Sequence, residues 1–263
     1  MKDIGDSGGG KMNKTKSFLA CKSLNCLFDD LWKNGITNFC ELQNNFETDN
    51  KIIDLVVGGA IWEKEKAVAK KKEPNGTLYG FTNFNSETGK ITIVFNPDFC
   101  TNSFKKFDIG DKYDAFYDFL AASKTIIHES IHADFIREIL SLIPKGLEIS
   151  KDNFEQTFRE FIDIICSDGD NLSDQHEAMV RTANNWIDRI AKDLFELNNN
   201  VGKWEDYRYQ AWRGIWKDGN ECINSTFLNK AEFIDLRNDY LNNILINSIT
   251  HTNIDNMNNC VNE

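Results

Sequence analysis

The string TIIHESIHADF at positions 125–135 limits this chain more than any other. On an α-helix two histidines four residues apart stand about 40° from one another, so His128 and His132 project from a single face. Ile126, Ile127 and Ile131 supply apolar surface beside that face, which suits a half-buried helix. The surrounding sequence lets such a helix be long. The chain has only 3 prolines, so helices run with few interruptions. Asp111 or Asp114 can cap this one, and Pro144 with Gly146 ends it after about Leu142.

The rest of the chain divides into a helical start, a strand-rich middle and a helical second half. Residues 1–16 are polar and Gly-rich and are expected to be a disordered linker or tag. From Phe18, Leu19, Leu24, Leu27, Phe28 and Leu31 fall mostly on one helical face, and Gly35 is a plausible stop. Thr37 can cap a short helix over 38–47 that carries Phe39, Leu42 and Phe46. Three strands are expected at 52–62, 77–85 and 85–96, the last two forming a hairpin around Thr88-Gly89. Beyond the HExxH helix, helices are expected from Ser150 or Asp152 to Ile165, from Ser173 or Asp174 to Leu197, at 204–216 and at 225–247. The tail 251–263 is Asn-rich and is expected to fray. This pattern predicts an α+β fold: a single domain over 17–250, with a small antiparallel sheet of about three strands on a mostly helical body.

The chemistry follows from the same string. Two imidazoles on one helical turn can share one tetrahedral metal, and zinc is the metal this pattern suits. Glu129 follows the first ligand and can take a proton from water as the water attacks a carbonyl. A catalytic zinc needs a third protein ligand. The metzincin continuation is excluded, because Phe135 and Glu138 stand where its Gly and third His would be. On a continuing helix Glu138 lies about 80–120° away from the two histidines. His176, 44 residues beyond His132, is the best candidate. Glu177 is the alternative ligand, or a bonding partner for an imidazole N–H. Glu160 and Asp163 are lesser candidates for either role. His251, in the polar tail, is expected to be exposed.

Charge and cysteine content narrow the remaining classes. The formal net charge of −11 opposes binding to nucleic acid or anionic lipid. The basic run 64–72 (KEKAVAKKK) reads as a solvated face. No secretory signal opens this sequence and no apolar run could span a bilayer; a domain cut from a longer exported protein is compatible with both, and the compartment is left open. The 7 cysteines form no CxxC pair. One disulfide could join two of Cys21, Cys26 and Cys40, but mostly reduced, buried thiols are expected.

TIIHESIHADF, then SDQHEAMV, then DYRYQAWRGIW resemble a group of zinc metallopeptidases in bacteria of the Bacteroidetes type, over about residues 120–216 with weaker echoes in 22–46. The chain is also similar to SprT-like zincins in using a distant His as third ligand. The resemblance implies a zincin-like fold, zinc on His128, His132 and His176, and Glu129 as base. It further implies that KITIVFN, the strand before the HExxH helix, is the sheet edge that receives an extended peptide. Tyr207, or less directly Tyr209, would stabilise the oxyanion. Arg213 and Trp216 depart from the family's C-terminal block, where Gly and Leu are usual.

Three functions are thus expected, in order: a zinc metallopeptidase acting on a peptide or protein; a toxin or effector peptidase domain of a longer polypeptide, with an immunity or inhibitor protein as partner; and an inert, metal-stabilised interaction module. The presence of Glu129 speaks against the last, because a purely structural site has no use for that carboxylate.

Overall fold

The structure is a computed structural model that describes residues 12–48, 52–72, 78–100, 119–143, 156–157 and 186–212, together with residues 235 and 260. The described elements are β1 (Met12–Lys14), α1 (Lys16–Ala20), α2 (Lys22–Lys33), α3 (Thr37–Thr48), β2 (Ile53–Val57), α4 (Gly59–Lys72), β3 (Gly80–Asn85), β4 (Lys90–Phe95), a 3-10 turn (Pro97–Phe99), α5 (Phe119–Leu142), α6 (Trp186–Leu197) and α7 (Trp204–Trp212). The fold is α+β, as expected. The sheet differs in detail. It has four strands in the order β1-β2-β4-β3, and it is mixed: β1–β2 and β2–β4 are parallel, while β3–β4 is the antiparallel hairpin.

Two expectations fail at the start of the sheet, each for a local reason. Residues 12–14 were expected to be disordered, yet Met12 pairs with Ile53 and Lys14 with Leu55. Met12 is buried and accepts a contact from Gln43 Nε2 at 3.1 Å. The expected strand 52–62 stops at Val57. Gly58 and Gly59 take φ of 63° and 88°, a region that Gly enters freely, and the chain turns into α4. β3 begins beside Phe95, at the end of the sheet where β2 finishes, so β3 runs opposite to β2 and the returning arm β4 lies parallel to it.

The sheet separates two faces. Ile53, Leu55, Ile91, Ile93 and Phe95 point to the main core, where Phe95 meets Phe18 at 5.7 Å. On the other face Trp62 of α4 is buried against Phe81, their rings stacked 6.1 Å apart. Leu24, Leu27, Phe28 and Leu31 of α2 and Phe39, Leu42 and Phe46 of α3 are buried, as their spacing predicts. Leu19 is not; it is 50% exposed, because the break at Cys21 separates α1 from α2 and resets the helical phase.

The cysteines correct a further expectation. Cys21 is bonded to Cys100, and Cys26 to Cys260, while Cys40 remains a thiol. The first bond ties the α1–α2 junction to the end of the 3-10 turn. The second fixes residue 260, within the tail expected to fray. Among the described residues no helix is long and apolar enough to cross a membrane.

Helix α6 closes the main core. Its buried positions Trp186, Ile187, Ile190, Ala191, Leu194 and Leu197 form one stripe, and Trp186 meets Phe135 of α5 edge-on at 5.9 Å. At its end Asn199 and Asn200 take φ of 55° and 58°, which Asn tolerates better than most residues. The expected break at 198–203 is there, and α7 follows.

Candidate active site on the central helix

Helix α5 is buried on nearly all sides rather than on one. Between Phe119 and Leu140 only Lys124, Arg137 and Glu138 are not buried. Such burial needs every polar group on the helix to be bonded. Three hydroxyls achieve this within the helix: Ser123 Oγ donates to Phe119 O at 2.6 Å, Thr125 Oγ1 to Ala121 O at 2.8 Å and Ser130 Oγ to Ile126 O at 2.7 Å. The flanking Ile126, Ile127 and Ile131 are each 1% exposed.

His128 and His132 lie together on this helix. Their Nε2 atoms are 3.0 Å apart and their rings are edge to face, with centroids separated by 4.7 Å. Two nitrogens each about 2.0–2.1 Å from one tetrahedral zinc stand roughly 3.3 Å apart. The pair is thus close to the spacing that a shared zinc ion demands, through the same ring atom of each residue. Glu129 Oε1 is 4.0 Å from His128 Nε2. All three side chains are buried.

The other carboxylate oxygen of Glu129 belongs to the sheet. Thr82 Oγ1, on β3, lies 2.9 Å from Glu129 Oε2 and 2.9 Å from the Glu129 main-chain oxygen, with its hydroxyl donating. Gly80, two residues earlier on the same face, explains how β3 comes so near. A Cβ at Gly80 would sit 2.9 Å from Thr125 Cγ2 and 3.3 Å from Glu129 Cγ. Thr82 and Gly80 are the site residues that sequence reasoning missed. The alternation of β3 could have put them on one face, but nothing in the string says which helix that face meets.

The sheet edge is also different from the expectation. KITIVFN, as β4, lies between β2 and β3. Gly80–Asn85 is one of the two edge strands among the described residues, opposite Met12–Lys14, and it runs antiparallel to its neighbour. The second arm of the hairpin takes the place beside β2, which leaves the first arm outermost.

The remaining candidates divide cleanly. His176, Glu177, Glu160, Asp163 and His251 lie outside the described residues, as do Arg213 and Trp216. Among the described residues no group of three His, Cys, Asp or Glu side chains converges on a metal position. The Glu138 side chain is 43% exposed and pairs with Arg137 at 3.6 Å, in keeping with its exclusion as a ligand. Tyr207 is buried, and its hydroxyl is held in the α6–α7 turn: it donates to Val201 O and accepts from Asn198 Nδ2 at 2.6 Å. Burial, set against the Asn198 bond, pushes the phenol up to about 12. The Tyr207 hydroxyl thus closes a turn; Tyr209 is also buried on α7.

No family model, no curated protein and no solved structure matches the chain.

Proposed function

We propose that this chain is a zinc-dependent peptidase of the HExxH type, with a zincin-like arrangement of helix and sheet edge. The observation that carries the reading is the buried cluster on α5: two Nε2 atoms 3.0 Å apart with Glu129 Oε1 4.0 Å from one of them. His128 and His132 would hold the ion through Nε2, and His176 would complete the set, with Glu177 the alternative. Zinc, when bound, polarises the scissile carbonyl and makes water acidic enough to attack near neutral pH.

The other steps belong to residues of the chain. Glu129 takes a proton from the attacking water and gives it to the departing amine nitrogen, so that a peptide and a water become a carboxylic acid and an amine. The outer edge of β3 offers main-chain N–H and C=O groups to an extended substrate lying above the helix. Tyr209 is the candidate donor to the oxyanion.

Zinc-loaded protein incubated with denatured casein should release peptides. A chelator should stop the release and added zinc should restore it. Glu129→Gln should reduce the rate by about 10²–10⁴-fold while the protein still binds one zinc. Hydrolysis by Glu129→Gln at the wild-type rate would overturn the reading.

The two disulfides favour a refinement, the peptidase domain of an exported toxin or effector. Such bonds persist in oxidising compartments and are rare in reducing ones. Expression in bacterial cytosol and in periplasm, with and without Glu129→Gln, tests it: harm that depends on Glu129 supports the refinement, and equal growth of all cultures contradicts it.

A further inference from the structure

We infer that Thr82 is a positioning residue for the candidate base, Glu129. The inference rests on the peptidase reading for its catalytic meaning, but the contact itself does not. Glu129 has two carboxylate oxygens with different surroundings. Oε2 accepts from the Thr82 hydroxyl at 2.9 Å, and Oε1 faces His128 Nε2 at 4.0 Å. One oxygen is thereby anchored on the edge strand, which leaves the other aimed at the imidazole pair.

A glutamate on a helix has three side-chain torsions, and holding it in one arrangement has an entropic cost that a directed hydrogen bond offsets. A base acts only from hydrogen-bond reach of the proton it abstracts, and small misplacements cost rate heavily. Thr82 is suited to hold it. As a β-branched residue in a strand it has few χ1 choices, and Gly80 brings that strand against the Glu129 turn with no Cβ in the way. The hydroxyl hydrogen also has a second acceptor within 2.9 Å, the Glu129 main-chain oxygen. It can swing there without Thr82 changing position, so the strand keeps its hold on the side chain whichever group carries the proton.

This assignment links substrate seating to the base. The same strand that forms a sheet edge among the described residues carries the residue that aims Glu129, so a substrate pairing with β3 docks directly on the support of the catalytic carboxylate.

Two experiments test it. The first compares casein hydrolysis by zinc-loaded wild type, Thr82→Val and Thr82→Ser. Thr82→Val should lose at least tenfold in kcat with KM within twofold and one zinc still bound. Thr82→Ser, which keeps the hydroxyl, should return to within threefold of wild type. A kcat for Thr82→Val within twofold of wild type would overturn the inference, and so would a Thr82→Ser as slow as Thr82→Val. Should Thr82→Val not fold, Thr82→Ala carries the same expectation.

The second needs no activity. In chelator, the Tm loss caused by Thr82→Val should shrink by half or more when Glu129 is already Ala, because the two side chains are coupled. Equal losses in both backgrounds would overturn the inference. If wild type cleaves no casein, the peptidase reading fails, and this thermal cycle still decides whether Thr82 holds Glu129.

Discussion

His128 Nε2 and His132 Nε2 meet 3.0 Å apart inside a helix that is buried on almost every side. Helical geometry alone brings the pair together, so most of the ordering cost of the site is met by folding. A metal that binds the native pair and not the unfolded chain must stabilise the fold. With free zinc at about 100 times Kd the gain is roughly 2.7 kcal/mol. Calorimetry in chelator and then in zinc should show Tm rising with the metal, and magnesium, which prefers oxygen ligands, should give no comparable rise.

Gly80 permits the contact between β3 and α5. An added Cβ would lie 2.9 Å from Thr125 Cγ2 and 3.3 Å from the main-chain oxygen of Val94. The methyl group can shift but the strand oxygen cannot, so Gly80→Ala should destabilise by about 1–3 kcal/mol. Urea unfolding measures this. The same variant should impair hydrolysis, since the displaced strand takes Thr82 with it.

Asp193 gives the stability a pH dependence that has nothing to do with the metal. It is buried on α6, where Oδ1 accepts from Asn38 N at 3.0 Å and Asn38 Nδ2 at 2.8 Å. Glu196 accepts from Thr37 N at 3.0 Å and from Thr37 Oγ1 at 3.1 Å. Together the two carboxylates cap the first turn of α3 from another helix. Burial, only partly offset by the Asn38 bonds, pushes Asp193 up from 3.8 to about 6. The folded state thus holds this proton more tightly than the unfolded chain does. The contribution is fully present below about pH 4 and is lost as pH rises to about 6, by at most roughly 3 kcal/mol. Asp193→Asn should flatten that part of the stability profile. An unchanged slope between pH 4 and 6 would assign it to other groups.

The Cys26–Cys260 bond spans 234 residues of sequence. Cross-links over long loops restrict the unfolded chain most, and their loss typically costs about 2–4 kcal/mol. The double variant Cys26→Ser/Cys260→Ser should melt lower than wild type under oxidising conditions. In a reducing agent the two proteins should converge.

What could be read from the sequence was whatever a short local pattern dictates. His128, Glu129 and His132 share one helical turn, so their spacing alone implies their meeting. The buried stripes of α2 and α3 and the β3–β4 hairpin were legible for the same reason. Contacts decided by strand order were not. Nothing local distinguishes β3 from β4 as the edge, and the partners of Cys26 and Glu129 lie far along the chain. The strand at Met12–Lys14 was hidden by its polar setting, since its stability comes from pairing with β2 rather than from its own three residues. That the Tyr207 hydroxyl closes the α6–α7 turn was not legible either, because its partners Asn198 and Val201 are set by the fold of that turn.

The central claim is that His128 and His132 hold a zinc ion with help from His176. Zinc content of the dialysed protein, measured by mass spectrometry of the metal for wild type, His132→Ala and His176→Ala, tests it most directly. The account predicts one zinc per wild-type chain, none in His132→Ala and a strongly reduced content in His176→Ala. Equal zinc in wild type and His132→Ala, or none in any of the three after loading, would contradict it.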